Sequence, residues 1–520
     1  MRATSYDVVV VGGGHNGLVA AAYLAKAGKS VRVLERLGHV GGAAVSEAVF
    51  SGVEVRLSKY SYLVSLLPDQ IVSDLGLTVA LADRRIASYT PLRRSGRDVG
   101  LLVERPAADR TRESFLELTG AEADYAAWQT FYTRLEALAH DLAPTLLEPL
   151  GSLRHVESRL RDPDLLKDLC ELPLADFVGR SLTDEQVRGV ALTDGLIGTF
   201  ADLHARDGLA NRCFLYHLIG NGSGQWRVPI GGMGAVSASM AEAARRFGAE
   251  LTVGADVTSV SVNADSAQVT WTDEAGTAQA GSAGAVVSGV APQVMDRLRG
   301  HTPGARPVGA QLKINMVLTR LPKLRSGLDP ELAFSGTMHV NQSASQLDAA
   351  YARALAGRLP DPLPFEVYCH SLVDPSILGQ SERAAGYQTL TLFGLHTPTA
   401  LFDEDNAGVR TRAVQLAVDG LDGILAEPLE DCLARDAAGD LCLHAASPLD
   451  VEAALAMPGG NIFHGDLSWP WAVQDSQAGT WGVETDEPRL VYAASGGAVR
   501  GGAVSGIGGH NAAQALLGRS

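Results

Sequence analysis

Apolar and polar positions follow two rhythms along this chain, and its first 42 residues show both. Residues 6–11 are apolar on both faces, which predicts a buried parallel strand. The run Gly12-Gly13-Gly14-His15-Asn16-Gly17 interrupts it. From Leu18 to Ala27 the apolar residues recur at helical spacing, and Gly28 suits the C-cap. A second strand is predicted over residues 31–34, ending at Glu35. The result is a strand, glycine turn, helix and strand in succession.

Residues from about 70 to 222 read as mainly helical, with helices over 109–118, 122–142 and 181–197 and breaks at Pro144, Pro149 and Pro163. A glycine-rich crossing spans 220–234, and a helix from about 235 to 247 follows. Strands are predicted at 251–253 and 256–262. A hairpin pairs 268–272 with 277–280 around Asp273-Glu274-Ala275-Gly276, and a short buried strand follows at 285–288. Residues 305–455 mix both periods, with a strand at 311–318 and a helix at 411–424. The last 30 residues repeat the opening: strand 489–494, glycine-rich turn 495–502, helix from about 504 to 517. There is no internal repeat. Strands alternating with helices predict an α/β fold.

Composition narrows the field. The chain has 520 residues, 46% of them hydrophobic and 20% charged, as in an ordinary globular protein of several domains. It carries 43 Lys and Arg against 59 Asp and Glu, a net charge of −16. Nucleic-acid binding needs a basic footprint, so that class is set aside. The five cysteines (Cys170, Cys213, Cys369, Cys432, Cys442) are scattered, with no CxxC and no zinc spacing. They predict free thiols in a reducing cytoplasm and no metal. The apolar run near the N-terminus is too short for a signal peptide's core, and nothing approaches a membrane span. Membrane contact is expected to be peripheral at most: residues 130–175 offer a peripheral helix, but their mixed charge favours a soluble bundle.

Gly12-x-Gly14-x-x-Gly17 carries the most specific chemistry. Its first glycine makes the turn, the second lets backbone approach a pyrophosphate, and the third lets helix pack on strand. Gly13, His15 and Asn16 complete the turn, and the helix N-terminus offers free N–H groups to phosphates. Glu35 follows Gly17 by 18 residues, where a carboxylate accepts the adenosine ribose hydroxyls. The pattern predicts dinucleotide binding.

After Glu35 the chain runs Arg36-Leu37-Gly38-His39-Val40-Gly41-Gly42-Ala43-Ala44. This Glu-Arg-x4-Gly-Gly extension resembles that of the flavin amine oxidase and phytoene desaturase superfamily. Ser495-Gly496-Gly497-Ala498-Val499-Arg500-Gly501-Gly502-Ala503-Val504-Ser505-Gly506 resembles the closing flavin motif of phytoene desaturases. Further matches are Gly14-His15-Asn16-Gly17-Leu18-Val19, Ser58-Lys59-Tyr60-Ser61-Tyr62-Leu63, Gly231-Gly232-Met233-Gly234, Lys313-Ile314-Asn315 and Pro458-Gly459-Gly460-Asn461-Ile462-Phe463-His464. Nearly the full chain is thus similar to the phytoene desaturase-related flavoproteins, in the branch with a human phytoene-dehydrogenase-like mitochondrial protein and desaturase-like carotenoid ketolases.

The resemblance implies non-covalent FAD. Ser58, Tyr60 and Ser61 would lie along the flavin ring, and Val257 would meet the adenine. Gly497, Ala498, Val504 and Gly506 would bring a helix N-terminus to the pyrimidine edge. Lys313 matches a lysine held near flavin N5 through a water, on a face that is either solvent or cavity. His464 would line the substrate site. Two departures stand out: Ser495 where the family has Gly, and Val499-Arg500 where it has His-Pro. Their bulk and charge are expected to alter the flavin's surroundings. Trp469-Pro470-Trp471 is either core or substrate wall.

The expected fold is a Rossmann-type FAD-binding domain (1–70, 225–300, 455–520) with an inserted α+β substrate domain (71–224, 301–454). The expected reaction moves a hydride between flavin N5 and a carbon of an apolar, isoprenoid, polyene or lipid-like molecule. No acid–base pair is visible in the sequence. The electron acceptor is oxygen, a quinone or a redox partner, and a homo-oligomer is open. Amine oxidation supported by Lys313, ketolase chemistry, and an FAD-binding interaction protein without turnover are the alternatives.

Overall fold

The computed structural model describes residues 4–518. Residues 1–3 and 519–520, at the outer edges of the expected 1–70 and 455–520 segments, lie outside the described residues. Two seven-stranded sheets organise the molecule.

In the first sheet, Thr4–Val11 lies between Val31–Leu34 and Ala278–Ser288 and is parallel to both. Glu250–Thr252 extends the parallel set beyond Val31–Leu34. Ala278–Ser288 changes partner along its length. Its first half pairs antiparallel with Ala267–Thr272, which in turn pairs with Asp256–Val262. Its last residues pair parallel with Leu490–Tyr492. The separate strand expected at 285–288 is therefore the second half of one long strand. On one face pack His15–Lys26, Met233–Arg246 and Ile507–Leu517, with Leu18, Leu24, Val236, Met240 and Ala512 in a shared apolar cluster. This is a Rossmann-type layer, buried on both faces as a parallel sheet requires.

The second sheet runs in spatial order Leu443–Ala446, Leu312–Leu318, Gln388–Gly394, Phe365–Tyr368, Thr337–Val340, Ile86–Arg94 and Arg97–Glu104. All neighbours are antiparallel except Thr337–Val340 beside Ile86–Arg94. Leu312, Ile314, Met316 and Leu318 face one apolar cluster, closed by Asn406–Asp422 through Ala413, Ala417 and Leu421. The opposite face looks toward a helical layer that includes Glu122–Leu142, Glu185–Thr193 and Leu209–Ile219.

Two expectations for residues 70–222 need correction. The hairpin Ile86–Arg94 and Arg97–Glu104 is sheet, not helix. Its turn residues, Ser95 and Gly96, sit at φ 50° and 79°, the twist a two-residue hairpin needs. The helix expected over 181–197 is confined to Glu185–Thr193, because Asp184 caps it by accepting from the N–H groups of Gln186 and Val187. Glu122–Leu142 has the expected bounds.

Candidate functional site

A groove of about 380 Å³ runs from the C-terminal ends of the first sheet's parallel strands toward the second sheet. This is where open α/β sheets bind ligands. Its floor is the glycine turn. A Cβ on Gly17 would stand 2.3 Å from the carbonyl oxygen of Gly12, so only glycine lets the first helix start that close to the strand. Gly12, Gly14, His15 and Asn16 line the groove, while Gly13 and Gly17 lie behind it. Glu35 is buried at the groove's edge. Its Oε2 accepts the N–H of Gly13 at 2.8 Å and its Oε1 that of Leu37 at 2.8 Å. Each oxygen retains a lone pair for an outside donor. Val257 lies on the same wall.

The second glycine turn is tied to the first. Gly41 donates to the carbonyl of Gly13 at 2.8 Å, and Gly42 and Ala43 line the groove. Gly41 and Ala44 do not; the carbonyl of Ala44 instead accepts from Ser237 Oγ at 2.6 Å. Arg36 lines the groove while donating to the carbonyl of Ala454 at 2.9 Å. Tyr60 and Ser61 line it as well, and Ser61 Oγ donates to the carbonyl of Ala43 at 2.7 Å. Ser58 does not: its buried hydroxyl accepts the N–H of Met233 at 3.1 Å and steadies the start of that helix.

From the C-terminal turn, Ala494, Ser495, Ala503 and Val504 face the groove. Gly497, Ala498 and Gly506 sit behind them, the last starting the helix Ile507–Leu517 from φ 74°. Arg500 corrects an expectation. Its guanidinium is buried and turned away, donating to the carbonyls of Pro470 at 3.0 Å and of Glu148. Its charge joins the helical layer and leaves the groove untouched. Trp469 and Trp471 stack 5.1 Å apart and line neither cavity; they pack with the helical core.

At the far end Lys313 faces inward and is 4% exposed. Its Nζ donates to Thr391 Oγ1 at 2.8 Å and lies 4.3 Å from the centre of the Tyr62 ring. Thr391 in turn donates to Asn315 Oδ1, and Asn315 Nδ2 donates to the carbonyl of Lys59 at 3.0 Å. No carboxylate pairs with Lys313, so burial pushes its ammonium well below the usual lysine range. The ring contact favours the charged form but is the weaker influence. His464, at φ 62°, closes the same end, and burial holds both it and His15 neutral down to about 4.

Four buried polar atoms on this wall have no partner: His15 Nε2, Asn16 Oδ1, Gln311 Oε1 and His464 Nδ1. Buried polar groups are normally satisfied, and four orphans in one groove mark a surface built for a polar ligand. With the glycine cradle and Glu35, the donor set fits a dinucleotide. Gln311 belongs to this set through its alternation with Lys313, which a period-two reading of that strand makes visible.

A second cavity of about 660 Å³ abuts the groove across Tyr62, Ile197, His217 and Trp226. It is a side-chain site. Glu366 accepts from Tyr368 Oη, and its Oε1 lies 3.5 Å from His339 Nδ1. Burial pushes the Glu366 carboxyl up to about 8, and that of Asp194 up to about 7. Arg84 donates from Nε to the carbonyl of Trp226 at 3.0 Å and from Nη1 to Thr337 Oγ1 at 3.1 Å. Thus the sequence reading of no acid–base pair missed Glu366, Asp194 and Arg84. A charged residue inside the apolar run Phe365-Glu366-Val367-Tyr368 was the available signal. Among the described residues no group of His, Cys, Asp and Glu could hold a metal ion, and no helix is long and apolar enough to cross a membrane.

Residues 10–66 match the NAD(P)-binding Rossmann-like domain family. Solved structures of similar fold include an oxidoreductase from Methanosarcina mazei (TM-score 0.58, 13% identity, 98% of this chain and 99% of that one). Cyclohexylamine oxidase from Brevibacterium oxydans is another (TM-score 0.56, 15% identity, 98% of each chain). The chain thus shares its fold with these oxidoreductases. A rat relative, pyridine nucleotide-disulfide oxidoreductase domain-containing protein 2, is 28% identical over 98% of this chain and 93% of its own length. The uncharacterized protein Rv0897c of Mycobacterium tuberculosis is 49% identical over 98% of this chain and 97% of its own. At that identity over almost the full length of both, the chain belongs to the same family as this mycobacterial protein.

Proposed function

We propose that the chain is an FAD-dependent oxidoreductase of the phytoene desaturase-related kind, acting at a carbon of a molecule with an apolar body. The observation that carries this reading is the meeting of a dinucleotide groove and a separate roomy cavity at Tyr62 and the buried Lys313. Glu35 would hold the adenosine ribose, the backbone of Gly12–Gly14 and the N-terminus of His15–Lys26 the diphosphate, and His15, Gln311 and His464 the ring system. Bound there, FAD supplies the hydride-accepting chemistry that no side chain provides. Burial without a counterion disfavours the ammonium of Lys313, so its amine is placed to accept a proton.

Oxidation of a C–N bond is the second reading, favoured by Lys313 beside Tyr62. An FAD-binding protein without turnover would need no route inward, whereas the inner cavity has an exposed rim at Arg105, Pro106 and Gln129. The electron acceptor in this reading is oxygen, a quinone or a redox protein, and the setting is the cytoplasm.

The test is the visible spectrum of the purified protein, followed by anaerobic photoreduction and admission of air. Flavin bands that bleach and return within seconds in air support an oxidase. Bands that return only with an added quinone support a dehydrogenase or desaturase. A protein that neither carries nor takes up FAD overturns the proposal.

A further inference from the structure

Lys313, Asn315 and Thr391 form a short polar chain inside the second sheet. Lys313 and Asn315 stand two residues apart on one face of their strand, and Thr391 is the direct partner of Asn315 on the antiparallel neighbour. All three are buried. The direction of each hydrogen bond in this chain follows from the one before it.

The carbonyl oxygen of Lys59 only accepts, so the atom of Asn315 that meets it at 3.0 Å is the Nδ2 donor. Oδ1 of Asn315 therefore faces Thr391 and takes that residue's one hydroxyl proton. Thr391 Oγ1 is left with lone pairs alone for Lys313 Nζ, 2.8 Å away, so the bond between them is an N–H donated by the lysine. The Tyr62 ring, its centre 4.3 Å from Nζ, sets a second direction, because the negative face of a ring draws an N–H and repels a lone pair. A neutral amine has two N–H bonds and one lone pair. With both N–H bonds committed, the lone pair takes the remaining position, which opens on the groove that Lys313 lines.

The titratable groups around the amine supply no counter-charge. Burial holds His370 neutral down to about 3, keeps Tyr62 protonated, and pushes the Glu366 carboxyl, two strands away, up to about 8. His444, opposite Asn315 on the other neighbouring strand, is likewise pushed toward its neutral form.

Resting on the reading of Lys313 as a proton acceptor beside the reacting carbon, we propose that Asn315 and Thr391 are positioning residues that fix the direction of the protons in this chain and so keep the Lys313 lone pair turned to the groove. The partner this amine takes there is a proton donor, either a water or an O–H or N–H of the substrate. When that proton is transferred, its bonding electrons stay on the donor. Nζ becomes an ammonium with three N–H bonds, already held by Thr391 and the Tyr62 ring. Without Asn315 the Thr391 hydroxyl is free to turn, and its proton caps the lone pair instead.

The test reads the lone pair directly and needs neither substrate nor added cofactor. Full-length protein is treated with potassium cyanate at pH 7, and carbamylation of each of the six lysines is followed by peptide mass spectrometry. Isocyanic acid is small enough to enter the groove and reacts with neutral amines. The amine nitrogen bonds to its carbon, and an N–H proton passes to its nitrogen. Lys313 is expected to react about tenfold faster than the exposed lysines, which are ammonium at this pH. Asn315→Leu should slow it about tenfold, the effect of one hydrogen bond on the lone pair. Adding Thr391→Val to that variant deletes the capping proton and should restore the native rate, and Thr391→Val alone should keep it. Damage to packing would not be repaired by a second substitution. Thermal unfolding checks each fold, and Asn315→Ala carries the same expectation if the leucine variant does not fold. A native Lys313 that does not react, an unchanged rate in Asn315→Leu, or a double variant that stays slow overturns the proposal. Flavin absorbance is recorded on the same samples. Protein that carries FAD but lacks this pattern of rates defeats this inference alone; protein that shows the pattern but neither carries nor takes up FAD defeats the functional reading alone.

Discussion

The groove and the inner cavity adjoin each other, yet they are built from different materials. The groove is a backbone site: glycine turns, a helix N-terminus, and neutral histidines at 15 and 464. The cavity is a side-chain site, with Arg84, Asp194 and Glu366 drawn from three distant segments. The difference extends to proton binding. His15 and His464 stay neutral down to about 4 against an ordinary 6.5, so as pH falls through that window the unfolded chain takes up protons first and stability drops. Asp194 and Glu366 hold their protons up to about 7 and 8. Their contribution is fully present below the ordinary carboxyl values of 3.8 and 4.5 and is lost as pH rises through 7 and 8. His217 and His339, on the cavity side, share the histidines' direction. At Gly17 the backbone site has no room for an added atom, whereas a side-chain site tolerates substitution at a graded cost.

The largest expected effect comes from breaking the backbone site. Gly17→Val forces atoms into the carbonyl of Gly12, and the purified variant should carry no flavin by absorbance while keeping its circular dichroism. Next is Lys313→Met, at the junction of the two regions. It should retain flavin and slow anaerobic flavin reduction by substrate about a hundredfold in stopped flow. Glu35→Ala sharpens the comparison, because it leaves the N–H groups of Gly13 and Leu37 without their acceptor. That should weaken FAD binding by about 2 kcal/mol, roughly thirtyfold, measured by flavin fluorescence titration. The smallest effect is thermal. The double variant Asp194→Asn with Glu366→Gln should lose less melting temperature than the native protein between pH 5 and pH 9 by calorimetry. A parallel loss in both would mean that these carboxyls are not the groups titrating in the cavity.

The same contrast explains what could be read in advance. Gly12, Gly14, Gly17 and Glu35 are legible because a phosphate cradle fixes residue type at fixed spacing over a few dozen positions. Lys313 was visible as a candidate, but whether its face met solvent or cavity depended on strands far away in sequence. Glu366, Asp194 and Arg84 carry no local spacing, since they meet only through the order of strands in the second sheet and the helix Glu185–Thr193. Ser58 misled for a related reason. It lies in the matching segment, yet its hydroxyl is already engaged by Met233. Arg500 was read as a charge near the cofactor, and only the packed helical layer reveals that carbonyls of Pro470 and Glu148 draw it the other way.

The seating of Ile507–Leu517 on His15–Lys26 has a consequence for nucleotide binding. A Cβ on Gly509 would stand 2.1 Å from the carbonyl oxygen of Asn16, so Ile507–Leu517 seats directly on the helix that begins at His15. On the reading proposed above, the turn that would hold a cofactor diphosphate is therefore braced by a helix far from it in sequence, and a bulky side chain at Gly509 would surface as weakened nucleotide binding.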